Sequence, residues 1–313
     1  MGTSTTPKVS IGMPVYNGSR YVAEAIESIL NQTFADFELI ICDNASTDNT
    51  EAICREYAAR DPRIRYVRNE RNVGAAPNYN KTFQLARGVY FRWHAHDDLI
   101  APTYLEKTVP VLDNDPGVVV VHSYTRLIDE HGATMDFPRE ANGGARLEHM
   151  VPGRGKLIYG VDPLDRKLDS PRVDQRFRSI VLRTFWCHEI FGLMRRTNLA
   201  RGGLMEPFYG TDKVILAEMA AQGRFNIVPE ELFMNRRHPE QSGSIDDKRT
   251  RDAWNDARAA RMWLSRRTIR MRGLMRAVAL GKMNARDRAA CYRAIAEKVL
   301  VAAKPVRTHP ATS

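Results

Sequence analysis

Apolar positions in the first 130 residues fall into two alternating patterns. Residues 9–15, VSIGMPV, are a short apolar run that stops at the turn Tyr16-Asn17-Gly18. Val22, Ala25, Ile26, Ile29 and Leu30 follow helical spacing, closed by Asn31-Gln32. Residues 37–42 form a second strand running into Asp43-Asn44-Ala45-Ser46-Thr47-Asp48, where Thr47 or Asp48 can cap a helix carrying Ala52, Ile53 and Tyr57. A third strand at 64–67 is followed by a loop to Gly74 and a helix to about Arg87, stopped by Gly88. The next run begins at Val89, is rich in aromatics, and ends on two adjacent carboxylates, Asp97 and Asp98. A helix over 103–112 and a strand over 118–121 come after it. Strands that alternate with helices, two of them almost wholly apolar, predict an α/β fold with a mostly parallel sheet covered on both faces. The loops Tyr16-Asn17, Asp43-Asn44 and Asp97-Asp98 then lie at one edge, where ligands of doubly wound sheets bind.

The order breaks after Ile128. Residues 132–155 are rich in glycine and proline, and read either as a lid that orders on substrate or as a surface excursion. A helix over 174–184, a strand over 190–195, a helix over 212–222 and short strands at 227–228 and 232–235 follow, ending at Arg236-Arg237-His238. From Lys248 the chain is helical and basic, with Trp254, Ala257, Arg261, Leu264, Thr268, Met271, Met275 and Val278 on one face. That face has two readings. It packs on the rest of the protein and leaves solvated arginines, or it lies on an anionic membrane surface.

Composition narrows the class. The chain has 313 residues, 43% hydrophobic and 27% charged, enough for one large domain or two small ones. Its net charge of +10 suits phosphorylated small molecules, anionic lipid or nucleic acid, but much of the excess lies in the last quarter. No finger, RNP or helix-turn-helix signature supports nucleic acid as a partner. The four cysteines form no CxxC, which points to a reducing compartment without a cysteine zinc site. An N-terminus without an apolar core, and no run of ~20 apolar residues, lead us to expect a cytoplasmic protein, peripheral on the inner membrane face if the basic helices bind lipid. The absence of GxGxxG and GxxxxGK[ST] argues against a dinucleotide dehydrogenase or a P-loop enzyme.

Two carboxylates at the end of a strand repel unless a cation or a proton intervenes. Asp97 and Asp98 therefore hold a hard divalent cation and a phosphate-bearing substrate, or they cap the next helix; the residues alone leave both open. The segment His94-Ala95-His96-Asp97-Asp98 also resembles the HxHxDH of metallo-hydrolases, but Leu99 stands where the last histidine would be.

Taken together, Pro14-Val15-Tyr16-Asn17, Asn31-Gln32-Thr33-Phe34, Asp43 to Asp48, Asn72-Val73-Gly74, Ala86 to Tyr90 and Asp97-Asp98 resemble glycosyltransferase family 2 in order and spacing. The resemblance covers residues 8–128 and continues more loosely to Ser242. It implies a GT-A fold, a Rossmann-like sheet flanked by helices. Residues 1–243 would be the catalytic domain, with a nucleotide-sugar half at 8–128, an acceptor half at 129–243 and a helical C-terminal extension at 244–313. It implies an inverting, metal-dependent glycosyltransferase using Mn²⁺ or Mg²⁺ and a nucleotide-sugar donor, most often a UDP-sugar. The usual family acceptor is a glycan or lipid-linked glycan of the cell envelope. On this reading Pro14, Tyr16, Asn17, Asp43, Asn44, Asn72, Gly74, Asn78, Asn80 and Asp97 line the nucleotide site, with Asp43 accepting the imide N–H of a base. Asp98, Asp97 and His238 hold the metal, and Asp212 is the base. Arg237, His96, Trp186 and His188 serve the diphosphate or the acceptor side. The chain departs from the family where Ala95 replaces the first acid of the usual DxD arrangement and Thr211 replaces the acid before Asp212. A nucleotide-binding domain without catalysis is the alternative that these departures leave.

Overall fold

The computed structural model describes residues 6–135, 147–151, 155–159, 167–184, 187–241, 245, 247–256 and 265–303. Strand β1 (Val9–Val15) and strand β2 (Phe37–Asp43), with helix α1 (Val22–Leu30) between them, are buried along their whole lengths. Helix α2 (Thr50–Arg60), β3 (Ile64–Arg68), α3 (Ala75–Leu85) and β4 (Tyr90–Trp93) complete the first alternating series. A two-residue β5 (Leu99–Ile100), α4 (Tyr104–Asn114) and the long β6 (Val118–Ile128) follow. The outlying hairpin is β7 (Leu147–Val151) with β8 (Gly155–Tyr159). Then come α5 (Val173–Arg178), β9 (Leu193–Arg195), α6 (Arg196–Leu199), α7 (Asp212–Gln222), β10 (Arg224–Arg236), α8 (Lys248–Asn255), α9 (Arg266–Leu280) and α10 (Ala285–Ala303).

The main sheet has the order β3-β2-β1-β4-β9-β6-β10-β5. Strands β3, β2, β1 and β4 are parallel, as are β6 and β10. Strand β9 is antiparallel to both β4 and β6, and β5 is antiparallel to β10. This is the mostly parallel, helix-flanked sheet that the residue pattern predicts. Strands β3 and β5 form its edges.

Alternation along β4 shows how the sheet divides the core. Phe91 and Trp93 enter a cluster with α7, while Tyr90 joins Ile11, Met13, Tyr104 and Leu105 on the opposite face. Helix α7 is buried continuously from Val214 to Ala221, Glu218 included, so it is covered on all sides. The helices after residue 243 share this core: Leu274, Ala277 and Val278 of α9 and Cys291, Ala294 and Ile295 of α10 pack in the same cluster as Val214 and Ile215. Among the described residues, no helix is long and apolar enough to cross a membrane.

Several expected elements differ in form. The helix expected at 174–184 is α5 followed by a π-helical turn, Ser179–Arg183. The strand expected at 190–195 begins as a 3-10 turn, His188–Phe191, and becomes extended only in β9. Two short strands near 230 are one strand, β10, whose pairing with β6 shifts register between Val228 and Glu231 and again between Glu231 and Phe233. Such irregularities break the alternation that a sequence pattern relies on. The stretch at 132–155 contains β7, while 136–146 and 152–154 lie outside the described residues. The single basic helix expected after Lys248 is divided. Ser265 caps the start of α9 through the Thr268 N–H, and Ala257, Arg261 and Leu264 lie outside the described residues. The buried stripe of α9 runs through Leu274, Ala277 and Val278, whereas Met275 is exposed.

The brace between α7 and α9 is ionic. Arg276 donates from Nε to Glu218 at 2.5 Å and from Nη2 to Glu206 at 2.8 Å, and Glu218 also accepts the Gly203 N–H at 3.0 Å. The Glu218 side chain is 2% exposed and that of Arg276 is 35% exposed. Arg276→Met leaves the buried carboxylate without its cation and should lower unfolding free energy by about 2 kcal/mol, after discounting for the exposure of the arginine. Equilibrium urea unfolding checks this; an unchanged midpoint would remove the brace as a source of stability.

Candidate functional site

The site is assembled at the C-terminal ends of β1, β2, β4 and β10. The turn after β1 has Asn17 at φ 49°, a left-handed conformation that asparagine tolerates better than most residues. Asn17 donates its N–H to Ser46 Oγ and accepts the Thr47 N–H at 2.8 Å, which fastens this turn to the loop after β2. Pro14 is buried within β1 opposite Cys42, and Tyr16 is exposed at the rim.

Asp43 ends β2 and is fully buried. Its carboxylate accepts the Ser46 N–H at 2.9 Å and the Tyr66 hydroxyl at 2.7 Å. The asparagines around it bond to one another. Asn44 donates to Asn72 at 2.8 Å and to the Gly74 carbonyl, and Asn69 bridges Asn44 and Asn78 at 3.0 Å each. Asn78 donates to the Cys42 carbonyl at 2.8 Å. Asn80 faces elsewhere, exchanging two hydrogen bonds with the Met205 backbone. These amides therefore hold the loops after β2 and β3 together.

Asp97 and Asp98 occupy the turn between β4 and β5, and the last strand pins them. Asp98 Oδ1 accepts the Arg236 backbone N–H and the Asn235 amide, both at 2.9 Å. The buried Arg236 guanidinium donates to the Asp97 carbonyl at 2.9 Å, the Glu130 carbonyl at 3.2 Å and Glu24 at 2.6 Å, and lies 4.7 Å from the Tyr21 ring centre. His238 Nε2 stands 2.9 Å from Asp97 Oδ2. Burial first, then the neighbouring Asp97 charge, holds the Asp98 carboxyl well above the ordinary range. For Asp97 burial acts in the same direction, but the His238 bond and the charges of His96 and His238 outweigh it and hold this carboxyl low. The pair thus favours one ionised and one protonated acid.

The two histidines beside the pair go to different places. His94 is fully buried, with Nε2 3.0 Å from the Asp98 carbonyl, and burial together with the Arg92 charge pushes its pKa far down. His96 stands over Gly18, where an added Cβ would lie 2.4 Å from the imidazole, so a side chain there would displace His96. His188 packs edge-on against Phe233, 6.3 Å between centres. Trp186 lies outside the described residues. Arg237 donates its N–H to the Ile128 carbonyl.

Asp212 opens α7, after Gly210 at φ 89°, a conformation that strains other residues. It accepts the Lys213 N–H at 2.9 Å. Burial raises its carboxyl pKa, against the opposing pull of the Lys213 N–H, the Cys187 thiol and the charges of Lys213 and Arg270. One residue links the two acidic centres. The phenol of Tyr79, on α3, is raised far above its usual pKa by burial and then by the charges of Asp97, Asp98 and Asp212. All three carboxyls therefore lie within electrostatic reach of one ring.

Among the described residues, no trio of His, Cys, Asp or Glu side chains is arranged as a ready-made metal cage. Asp97, Asp98 and His238 nevertheless present hard oxygen donors and an imidazole, with too little positive charge to ionise both acids. A divalent cation that took its remaining oxygens from a substrate phosphate fits this donor set.

Residues missed by sequence reading include Arg236, Asn235, Tyr79 and Cys187. Strand parity could have found the first. Residues 236 and 238 share a face, so the arginine beside the acids is the one two positions from His238.

The family model described as Glycosyl transferase family 2 matches residues 10–152. The chain is 38% identical over 134 residues to the protein of Methanocaldococcus jannaschii named "Uncharacterized glycosyltransferase MJ1057", covering 42% of this chain and 46% of that one. It spans about half the length of that relative. Among solved structures, S. aureus TarS 1-349 in complex with UDP-GlcNAc superposes with TM-score 0.59 at 15% identity, over 93% of this chain and 71% of that one. The mannosyltransferase PcManGT from Pyrobaculum calidifontis, in complex with GDP-Man and Mn²⁺, superposes with TM-score 0.52 at 18% identity, over 97% and 77%. These likenesses show the GT-A fold.

A carboxyl whose pKa is raised on folding binds more protons folded than unfolded between about pH 4 and its raised value. Asp98 therefore lowers stability as pH rises through that value. Asp98→Asn keeps the acceptor for the Arg236 N–H and removes the charge. It should raise the melting temperature at pH 8 and leave it unchanged at pH 3. Thermal unfolding at the two pH values decides; a lower melting temperature at pH 8 would contradict the assignment.

Proposed function

We propose that this chain, whose residues 10–152 belong to glycosyl transferase family 2, moves a sugar from a nucleoside-diphosphate sugar to a glycan or lipid-linked glycan of the cell envelope. The observation that carries the reading is the grouping of Asp97, Asp98 and Asp212 about Tyr79, with the acid pair at the end of β4 and Asp212 at the start of α7. Two acidic centres with different environments can serve two roles: one binds the leaving group and the other takes a proton.

Asp97, Asp98 and His238 would hold Mn²⁺ or Mg²⁺, which when bound supplies positive charge to the departing diphosphate. Asp43 binds the base. Its oxygens accept two hydrogen bonds, and a carboxylate offers about four acceptor sites, so an imide N–H can be added. Pro14, Tyr16, Asn17 and the asparagine lattice shape the nucleoside pocket. A UDP-sugar is the donor we favour. Asp212 accepts the proton of the attacking hydroxyl, and its raised pKa strengthens it as a base. The hydroxyl oxygen attacks the anomeric carbon opposite the diphosphate in a single displacement, which inverts that centre. Arg237 and His96 neutralise the diphosphate side, and His188 and Trp186 belong to the acceptor side.

A thermal-shift screen of the full chain with UDP-, GDP- and dTDP-sugars, with and without Mn²⁺, tests the donor. We expect one nucleotide to stabilise the protein, with a larger shift when Mn²⁺ is present, and Asp98→Ala to abolish the Mn²⁺ increment. Asp212→Asn should keep the nucleotide shift and reduce transfer by about 100-fold or more. No shift with any nucleotide would sink the transferase reading, and near-normal turnover of the Asp212→Asn protein would remove its role as base.

A further inference from the structure

The arginines of the last quarter of the chain are not evenly spread. Two of them stack on consecutive aromatic residues just ahead of Asp212. The Arg251 guanidinium lies 4.7 Å from the centre of the Tyr209 ring, and that of Arg270 lies 5.6 Å from the centre of Phe208. Tyr209 also meets Trp254 edge-on at 6.5 Å, and Trp254 is exposed. Arg270 Nη2 and Asp212 Oδ1 lie 3.8 and 4.0 Å from the point that a Cβ on Gly210 would occupy, so the arginine and the carboxylate flank the same glycine. Arg251 Nε is buried with no hydrogen-bond partner among the described residues.

Arg266 joins this group. Burial, and then the charges of Arg251 and Arg270, push its pKa down. Lys298 of α10 is pushed down by burial and by Lys213 and Arg270, so the positive field continues around the first turn of α7. Glu206 is held by Arg276, and Asp212 faces Arg270 and Lys213. Like charges gathered by folding repel one another, and an anion placed among them reverses the sign of that interaction. Guanidinium forks match carboxylate and phosphate oxygens two at a time. The faces of Tyr209 and Trp254 supply the flat apolar surface on which a sugar ring rests.

We propose that Arg251, Arg266 and Arg270, with Tyr209 and Trp254, form a subsite beside Asp212 for an anionic group, phosphate or carboxylate, on the sugar acceptor. The word acceptor rests on the transferase reading; the anion preference rests on the side chains alone. The subsite draws an acidic glycan to the start of α7 and presents its hydroxyl to the carboxylate there. It makes the C-terminal helices part of the acceptor side.

The test is calorimetric titration of the full chain, saturated with Mn²⁺ and the nucleotide that gives the thermal shift, so that the donor site is filled. The probes are inorganic pyrophosphate, an oligogalacturonate and a neutral malto-oligosaccharide of equal length. We expect one anionic probe to bind and the neutral one to bind far more weakly. Pyrophosphate alone would identify phosphate as the group, and oligogalacturonate alone would identify carboxylate. Arg251→Gln/Arg270→Gln should weaken that binding about tenfold or more while nucleotide binding is retained, which also shows that the variant is folded. Arg270→Lys should recover part of it. The subsite is overturned if neither anionic probe binds, if the neutral probe binds equally well, or if the double variant binds as the parent does. It is also overturned if the only anion-dependent binding is to vesicles of phosphatidylcholine with phosphatidylglycerol. Failure of nucleotide binding in the parent is a separate result: it sinks the transferase reading, and the same titrations without nucleotide still decide whether the anion site exists.

Discussion

The placement of Asp97 and Asp98 depends on one residue from the other end of the domain. Arg236 gives its backbone N–H to Asp98 and its guanidinium to the Asp97 carbonyl, while Glu24 of α1 and the end of β6 take its remaining donors. The fully buried guanidinium of Arg236 has its donors met and the Glu24 carboxylate beside it. Each partner of Arg236 therefore constrains the others. Strand β4 is only four residues long and could not hold an acidic turn by itself. The turn keeps its shape because β10, laid down more than a hundred residues later, closes over it. Building the acidic site requires a completed sheet.

The loops on the other side of the site are held by different means. Around Asp43 neutral amides bond amide to amide, and the backbone carbonyls of Cys42 and Gly74 end the chain of bonds. Such a lattice holds its shape without carrying net charge. Charge meets this lattice at its edge, where Lys81 donates to Asn69 and Arg68 lies 3.7 Å from Asp43; the acid pair and Asp212 are tuned in separate ways. Asp97 is held low by a histidine, Asp98 is held high by burial and then by its neighbour, and Asp212 is held high by burial. Three carboxyls within electrostatic reach of Tyr79 thus differ in their affinity for a proton.

Much of residues 8–128 was legible because β1 and β2 are mostly apolar and are buried along their whole lengths. The acid pair was legible because charge at the end of an apolar strand is costly. What stayed hidden depended on register and on distant partners. Arg237 attracted notice as part of a basic run, yet Arg236 reaches the acids, a contact with a turn that is distant in sequence. Of the two histidines only His96 was a site candidate; His94, just after β4, enters the core, and the following turn places His96 over Gly18. Tyr79 gave no local signal, because its importance comes from acids that neighbour it only in space. The C-terminal stripe was misplaced because α9 starts anew at the Ser265 cap, which sets its own helical phase.

The edges of the main sheet affect how the protein behaves in a crowded solution. On one side β3 is five residues long and carries Arg65 and Arg68, and on the other β5 has only two residues. At β3 another extended chain would meet charged side chains, which oppose the edge-to-edge stacking that leads to aggregation. At the other edge β5 pairs with only Phe233 and Met234, so it is too short to extend the sheet by itself.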